Sequence, residues 1–252
     1  METVMTAEPT GVTIAYRDSA PNGRAHPVPV VLVHGMGGDG RTWDRFTRSL
    51  VAAGRRVVTL DLRGHGRSAR AGSYLFGEFA ADIEALCGHL NLGTVDLVGH
   101  SLGGRTGSLL AQQRPDLVRR LVLEESPLPL RAGDPVPVLA SRRPTVAELW
   151  HATTSLARNP RATIVFDRSM TPSAIKQFHT PDPRWWQRLP DTTAPALILR
   201  GTRPGSMVDP ALLTEAAAAL PRCTVRGIAC GHSIHRDRFR DFEAAVVPFL
   251  MD

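Results

Sequence analysis

A serine between glycines and a histidine far downstream are the residues of this chain best suited to nucleophilic catalysis. The pentapeptide GHSLG occupies residues 99–103, and a second motif, GHS, occupies residues 231–233. A serine hydroxyl is a poor nucleophile at neutral pH unless a base takes its proton, and imidazole suits that task. Ser101 is therefore the candidate nucleophile and His232 the candidate base.

Such a serine has to lie where a strand ends and a helix begins, so that its hydroxyl projects from the sheet. The apolar run 95–98 predicts the strand, and residues 102–113 predict a helix that ends before Pro115. The glycines on either side of Ser101 fit this position, because a Cβ there would collide with the neighbouring chain of a tight strand-to-helix turn.

The rest of the chain alternates between short apolar runs and segments with helical spacing. Residues 28–33, 57–60, 121–123, 196–199 and 223–228 read as strands. Helices are expected from Trp43 to a C-terminal cap at Gly54, and from Phe76 to Leu90. This alternation predicts an α/β fold, with a mostly parallel sheet and helices on both faces.

At four stretches the chain resembles the α/β-hydrolase family: HGMGG at 34–38, DLRGHGRS at 61–68, GHSLGG at 99–104 and GH at 231–232. The resemblance spans nearly the whole chain and implies a sheet of about eight strands with an inserted helical lid. It also implies that the backbone amides of Met36 and Leu102 bind the developing oxyanion. His34 is expected to be structural, His100 to pack sideways, and His235 to begin a helix or support the site from behind.

Residues 127–190 differ in composition from the remainder, and we predict that they form the lid over a core made of residues 1–126 and 191–252. They contain ten of the twenty prolines and three of the four tryptophans. Dense prolines prevent long elements, so short helices are expected at 145–157 and 172–178. Trp150, Trp185 and Trp186 are candidates for the substrate pocket; packing of the lid onto the core is an equal alternative.

The acid that should orient His232 is displaced from its usual place. In most resembling proteins it follows the glycine that ends the seventh strand by three residues, but here that position is Pro204. We prefer Glu125, which follows the preceding strand, with Glu124 and Asp209 as fallbacks. Asp209 precedes Pro210 at a predicted helix start, a pattern that favours helix capping.

A serine rather than an aspartate at position 101 argues against alkyl-enzyme chemistry, which needs a carboxylate nucleophile. The leading hypothesis is a cofactor-independent hydrolase of carboxylic esters, thioesters or lactones that forms an acyl-enzyme. One alternative is a C–C bond hydrolase or cyclase-like enzyme on the same triad. Another is a catalytically weakened ligand-binding protein of the same fold, which Pro204 mildly favours.

The composition favours a small-molecule substrate and gives no sign of a nucleic-acid partner. The 252 residues carry a net charge of +6, yet no block of like charges indicates nucleic acid. The excess is concentrated in residues 127–190, with nine basic and four acidic residues, and weakly suggests an anionic or carrier-bound substrate. The three cysteines suggest neither disulfides nor a metal site, and we predict no membrane segment and a cytoplasmic location. The oligomeric state is left open.

Overall fold

The computed structural model describes residues 4–23, 25–134, 153 and 165–252, and its centre is one eight-stranded sheet. The strands are β1 (Met5–Ala7), β2 (Ile14–Ser19), β3 (Val30–Val33), β4 (Val57–Leu60), β5 (Val95–His100), β6 (Val118–Glu124), β7 (Ala196–Gly201) and β8 (Cys223–Ile228).

The order across the sheet is β1-β2-β4-β3-β5-β6-β7-β8. The pairs β1–β2 and β2–β4 are antiparallel, and all remaining pairs are parallel. The predicted fold class is confirmed. Strands β1 and β2 were not predicted, because β1 is only three residues long and β2 ends in the polar residues Arg17, Asp18 and Ser19, which leave no long apolar run.

Helices follow most strands of the sheet. Within the described ranges they are α1 (Asp44–Ala52), α2 (Phe76–His89), α3 (Leu102–Gln113), α4 (Met170–His179), α5 (Pro183–Arg188), α6 (Pro210–Ala219), α7 (Ile234–Asp237) and α8 (Phe239–Met251). Two 3-10 turns, Gly40–Trp43 and Leu189–Asp191, precede α1 and follow α5. No helix in the described part of the chain has the length and apolar character to cross a membrane.

Apolar side chains form one core on each side of the sheet. Phe79 and Ile83 of α2 pack in the core that also contains Leu110 of α3. Phe46 of α1 and Phe242 of α8 pack in the other, with 4.9 Å between their ring centroids. Burying one such phenylalanine contributes about 1.5–3 kcal/mol, so these aromatic residues stabilise the frame that holds the strand ends.

The described part of the segment between β6 and β7 is joined to the core through partly buried polar contacts. Asp182 lies 2.6 Å from the Nη2 of Arg105 on α3, and Gln177 accepts a hydrogen bond from the backbone N–H of Phe76 at 2.7 Å. The predicted helix at 172–178 is present as α4. The predicted helix at 145–157, apart from residue 153, and Trp150 with it, lie outside the described residues.

Candidate active site

Ser101 lies at the junction of β5 and α3 in a conformation that L-residues rarely adopt. Its φ is 53° and its ψ is −115°. Such a conformation costs on the order of 1–3 kcal/mol and persists only where neighbouring structure enforces it. The backbone N–H of Ser101 donates to the carbonyl of Glu124 at 2.9 Å, and its own carbonyl accepts from the N–H of Arg105 at 2.9 Å. The predicted strand-to-helix turn is confirmed.

The glycines around Ser101 have no room for side chains. A Cβ at Gly99 would overlap the backbone of Gly103, and a Cβ at Gly103 would overlap the carbonyl of Val33. A Cβ at Gly104 would lie 2.7 Å from the Cβ of Ser126. The obstacles at Gly99 and Gly103 are backbone atoms, which cannot move aside, so the turn requires glycine at both positions.

The loop after β3 lies directly against the nucleophile. A Cβ added to Gly35 would lie 3.1 Å from the Cβ of Ser101, and Gly37 has a φ of 75°. Met36 stands between these glycines, and Leu102 is the first residue of α3. The two residues predicted to provide oxyanion amides therefore belong to the two segments that meet at Ser101.

His34 supports this loop from beneath, as predicted. Its Nδ1 donates to the carbonyl of Gly35 at 2.7 Å, and its Nε2 accepts from the backbone N–H of Leu62 at 3.0 Å. These bonds require the neutral ring, and burial lowers the pKa of His34. The ring of His65 packs edge-on against it at 4.9 Å, and burial lowers the pKa of His65 to about 3.

His232 and Glu125 lie together at the same edge of the sheet. The Nδ1 of His232 is 3.3 Å from the Oε2 of Glu125, which is fully buried. The Nε2 of His100, the residue before Ser101, donates to the backbone carbonyl of His232 at 2.8 Å. The loop that carries the candidate base is thus tied to the turn that carries the candidate nucleophile.

Glu125 is held by the loop after β7, the loop in which resembling proteins usually place the acid. Its Oε1 accepts from the N–H of Gly201 at 2.6 Å and from the hydroxyl of Ser206 at 2.8 Å. Its Oε2 accepts from the N–H of Met207 at 2.8 Å. Glu125 also has a positive φ of 46°. Neither Ser206 nor Met207 was identified from the sequence, because a hydroxyl and a backbone amide in a loop carry no motif.

The two fallback acids are engaged elsewhere. Asp209 caps α6, since its Oδ1 accepts from the N–H groups of Ala211 and Leu212 at 2.8 and 3.1 Å. The capping prediction for Asp209 is confirmed. Glu124 is fully buried and binds His235, with 2.7 Å between Oε2 and Nδ1.

The pair formed by Glu124 and His235 was missed at the sequence level. The Nε2 of His235 lies 2.8 Å from the Oγ1 of Thr42, and the ring stacks on Trp43 with 4.3 Å between centroids. His100, Glu124 and His235 also have the spacing of a metal site among the described residues. Hydrogen bonds already occupy the carboxylate and both ring nitrogens of His235, so the arrangement is that of a hydrogen-bond network. Adjacent glutamates followed by histidines three residues apart were the signal available in the sequence.

A groove of about 910 Å³ opens beside the loop after β3. It is lined by Gly37, Phe166, Arg168, Thr171, Pro172, Ile175 and Lys176. Apolar side chains dominate the lining, and two cations stand among them. The groove therefore presents a mostly apolar surface beside the loop that carries Met36.

The described tryptophans of residues 127–190 pack against the protein. Trp185 is 3% exposed and donates from Nε1 to the hydroxyl of Ser108 on α3 at 3.0 Å. Trp186 is half-buried and donates to the carbonyl of Pro129 at 2.9 Å. Neither lines the groove. Packing of the insertion describes these contacts: Trp185 bonds to the core, and Trp186 packs against the core while bonding to Pro129 of the insertion itself.

The sheet order, the strained serine and the glycine-rich loop define an α/β hydrolase. A family model described as alpha/beta hydrolase fold matches residues 28–188, and the chain belongs to this family.

Particular relatives agree with this assignment. The mouse protein named sn-1-specific diacylglycerol lipase ABHD11 is 28% identical over 247 residues, covering 88% of this chain and 80% of the relative. Among solved structures, the enol-lactonase from Burkholderia xenovorans LB400 superposes with a TM-score of 0.82 at 23% identity, covering 98% of this chain and 100% of that one. A thioesterase domain from the curacin biosynthetic pathway superposes with a TM-score of 0.76 at 23% identity, with full coverage of both chains.

Proposed function

We propose that the protein is a serine hydrolase that cleaves a carboxylic ester, thioester or lactone through an acyl-enzyme. The observation that carries this proposal is the conformation of Ser101, held at a φ of 53° between β5 and α3. Backbone strain of this kind is maintained at functional sites, where it presents a side chain to a ligand. The names of the relatives, a lipase, an enol-lactonase and a thioesterase, are consistent with acyl transfer to water.

In the first step, the hydroxyl of Ser101 attacks the acyl carbon while His232 takes its proton. Glu125 accepts from the Nδ1 of His232, which leaves Nε2 free to act as the base and stabilises the imidazolium that forms. The amides of Met36 and Leu102 bind the oxyanion of the tetrahedral intermediate. His232 then returns the proton to the leaving alcohol, thiol or ring oxygen.

In the second step, a water molecule attacks the acyl-enzyme, again with His232 as the base. The tetrahedral intermediate collapses, the bond between the acyl carbon and Ser101 breaks, and the carboxylic acid leaves. This sequence uses the groups of the chain and water, and needs no cofactor.

The groove supports a substrate with an apolar body and a negative group. Ile175 is 43% exposed in the groove, which offers an apolar contact, and Arg168 and Lys176 supply two positive charges. We assign this groove to an anionic or carrier-bound acyl substrate. Exposed charges act at long range and are screened by salt, so their contribution to substrate capture falls as ionic strength rises.

A fluorophosphonate probe tests the nucleophile. The wild type is expected to become labelled and to hydrolyse an aryl ester, and Ser101→Ala to do neither. Alanine keeps the Cβ and the backbone requirement of this position, so the variant is expected to fold. Tight ligand binding without turnover, unchanged in Ser101→Ala, would instead indicate a binding protein.

A substrate panel tests the groove. Aryl esters and acyl thioesters of increasing chain length, each neutral or with a terminal carboxylate, are compared in wild type and in Arg168→Gln with Lys176→Gln. The double variant is expected to lose kcat/KM on anionic substrates by about tenfold at low salt, a magnitude typical of electrostatic steering, and to keep the neutral rates. Equal losses on both series would contradict the assignment.

A further inference from the structure

Two adjacent glutamates at the end of β6 bind two different histidines of one loop. Glu125 faces His232, and Glu124 binds His235 three residues later. In a regular strand, neighbouring side chains point to opposite faces. The positive φ of Glu125, 46°, ends that alternation, so both carboxylates reach the segment between β8 and α8. The mechanism proposed above uses only one of these two pairs.

Glu124 connects Ser101 to the segment between β8 and α8, which carries both His232 and His235. Its backbone carbonyl accepts from the N–H of Ser101 at 2.9 Å, and its Oε1 accepts from the backbone N–H of His235 at 2.8 Å. Its Oε2 is 2.7 Å from the Nδ1 of His235, a distance at which the carboxylate accepts a hydrogen bond from that ring nitrogen. One fully buried residue therefore fixes the amide of the nucleophile and the position of residue 235.

The ring of His235 is suited to this place at both nitrogens. Nδ1 donates to the carboxylate of Glu124, and Nε2 faces the hydroxyl of Thr42 at 2.8 Å. The stacked indole of Trp43 covers the ring, which is 5% exposed as a residue. The end of the loop at residue 235 is thus held by the side chain and the backbone together.

The contact between His232 and Glu125 is longer than a strong charge-assisted hydrogen bond, so other contacts can contribute to the orientation of the candidate base. At 3.3 Å it exceeds the roughly 2.7–2.9 Å of a strong charge-assisted hydrogen bond, and the side chain of His232 is 22% exposed. Two further contacts hold the backbone around His232. The carbonyl of His232 is held by His100 at 2.8 Å, and residue 235 is held by Glu124.

We propose that Glu124 and His235 are positioning residues, which fix the backbone on the C-terminal side of His232 so that its ring stays between Glu125 and Ser101. The proposal rests on the proposed function of Ser101 and His232. It assigns the second glutamate–histidine pair a part in the reaction through the loop, without contact with substrate.

Two substitutions of His235 form a matched test. The amide of asparagine occupies the place of Nδ1, so His235→Asn keeps a donor for Glu124. The amide of glutamine reaches the place of Nε2, so His235→Gln keeps the contact with Thr42 and loses the one with Glu124. We measure kcat and KM for a neutral aryl ester, per site counted by endpoint fluorophosphonate labelling, with circular dichroism as the check of folding.

His235→Gln is expected to lower kcat per labelled site by about 100-fold with little change in KM, because small misplacements of a catalytic group have costs of that order. His235→Asn is expected to stay within about tenfold of wild type. If both variants lose only stability, and kcat per labelled site stays at the wild-type value, the pair is structural and the proposal is wrong. The same holds if glutamine is tolerated better than asparagine.

A second readout does not depend on turnover. In ¹⁵N-histidine spectra at alkaline pH, wild type and His235→Asn should show His232 as the Nδ1–H tautomer, and His235→Gln should show a mixture of tautomers. A protein without labelling or ester turnover would refute the proposed function, while this tautomer difference would still show whether His235 controls the orientation of His232. Identical His232 spectra in all three proteins would overturn it.

Discussion

Replacing Glu125 by glutamine tests the displaced acid. In the native site, Oε1 accepts from Gly201 and Ser206, while Oε2 accepts from Met207 and faces the Nδ1 of His232. An amide has one acceptor oxygen. If the oxygen stays near Gly201, the amide N–H₂ group faces the N–H groups of Met207 and His232. If the amide is rotated by half a turn, its N–H₂ group faces the N–H of Gly201. In either orientation, at least one donor loses its acceptor.

The magnitude follows from these contacts. A buried donor left without an acceptor costs about 1–3 kcal/mol, and the imidazolium of the transition state loses its negative partner as well. Removing the acid of a serine–histidine–acid triad lowers kcat by about 10⁴-fold, or roughly 5.5 kcal/mol at 1.36 kcal/mol per factor of ten. We expect a loss of about 10³–10⁴-fold in kcat for Glu125→Gln, with KM nearly unchanged, because Glu125 lies behind His232, away from the substrate.

Asp209→Asn is the matched control, because it makes the same change of carboxylate to amide. Asparagine caps helices as well as aspartate does, and the Oδ1 of residue 209 needs only to accept from two backbone N–H groups. Stopped-flow hydrolysis of an aryl ester, with folding verified by circular dichroism, gives kcat for both variants. Wild-type kcat in Glu125→Gln together with a large loss in Asp209→Asn would refute the assignment of the acid.

Three further predictions concern the frame of the site. Gly99→Ala should abolish both labelling and folded yield, because the new Cβ would overlap backbone atoms of Gly103; a folded, labelled variant would contradict the steric argument. The free energy of unfolding of the wild type should fall by about 2 kcal/mol between pH 7 and pH 5 because of His65, whose folded pKa of about 3 lies below the unfolded value of 6.5, so that only the unfolded state takes up the proton. Urea titrations at both pH values should show a smaller fall in His65→Asn. An equal fall in both proteins would rule out this role of His65. Asp182→Asn should destabilise the protein by about 1–3 kcal/mol, because it keeps the helix cap but leaves the buried Arg105 without its charge partner; an unchanged melting temperature would show that the pair contributes nothing.

The core strands and the turn at Ser101 were predictable because each has a local cause. A buried parallel strand is a short apolar run, and a strand-to-helix turn around a serine needs glycine where backbones meet. The strands β1 and β2 lacked such a cause. β2 pairs at the antiparallel side of the sheet, where its polar residues from Arg17 to Ser19 remain half-buried.

That Glu125 and His232 lie together could be predicted from the sequence, but the other hydrogen bonds around Glu125 could not. The preference for Glu125 came from the absence of an acid at residue 204, and in the structure Glu125 lies against His232. The sequence carried no sign that Ser206 and Met207 would bind it. Such bonds depend on the path of a loop, and that path follows from packing between segments about 80 residues apart in the chain.

We propose that the loop after β7 allows Glu125, one strand earlier, to serve as the acid of the site. In this chain the loop offers donors, the N–H groups of Gly201 and Met207 and the hydroxyl of Ser206, at the place where an acid would otherwise stand. A buried carboxylate is costly unless its oxygens accept hydrogen bonds. The donors of this loop provide those hydrogen bonds for the carboxylate of Glu125, which follows β6. The positive φ of Glu125 then turns its side chain into those donors. We therefore expect that Pro204→Asp, which restores an acid at the usual position, will not restore the kcat lost in Glu125→Gln as long as the loop donors remain. The measurement is kcat of the double variant. Full recovery of kcat in the double variant would mean that the loop tolerates either position of the acid.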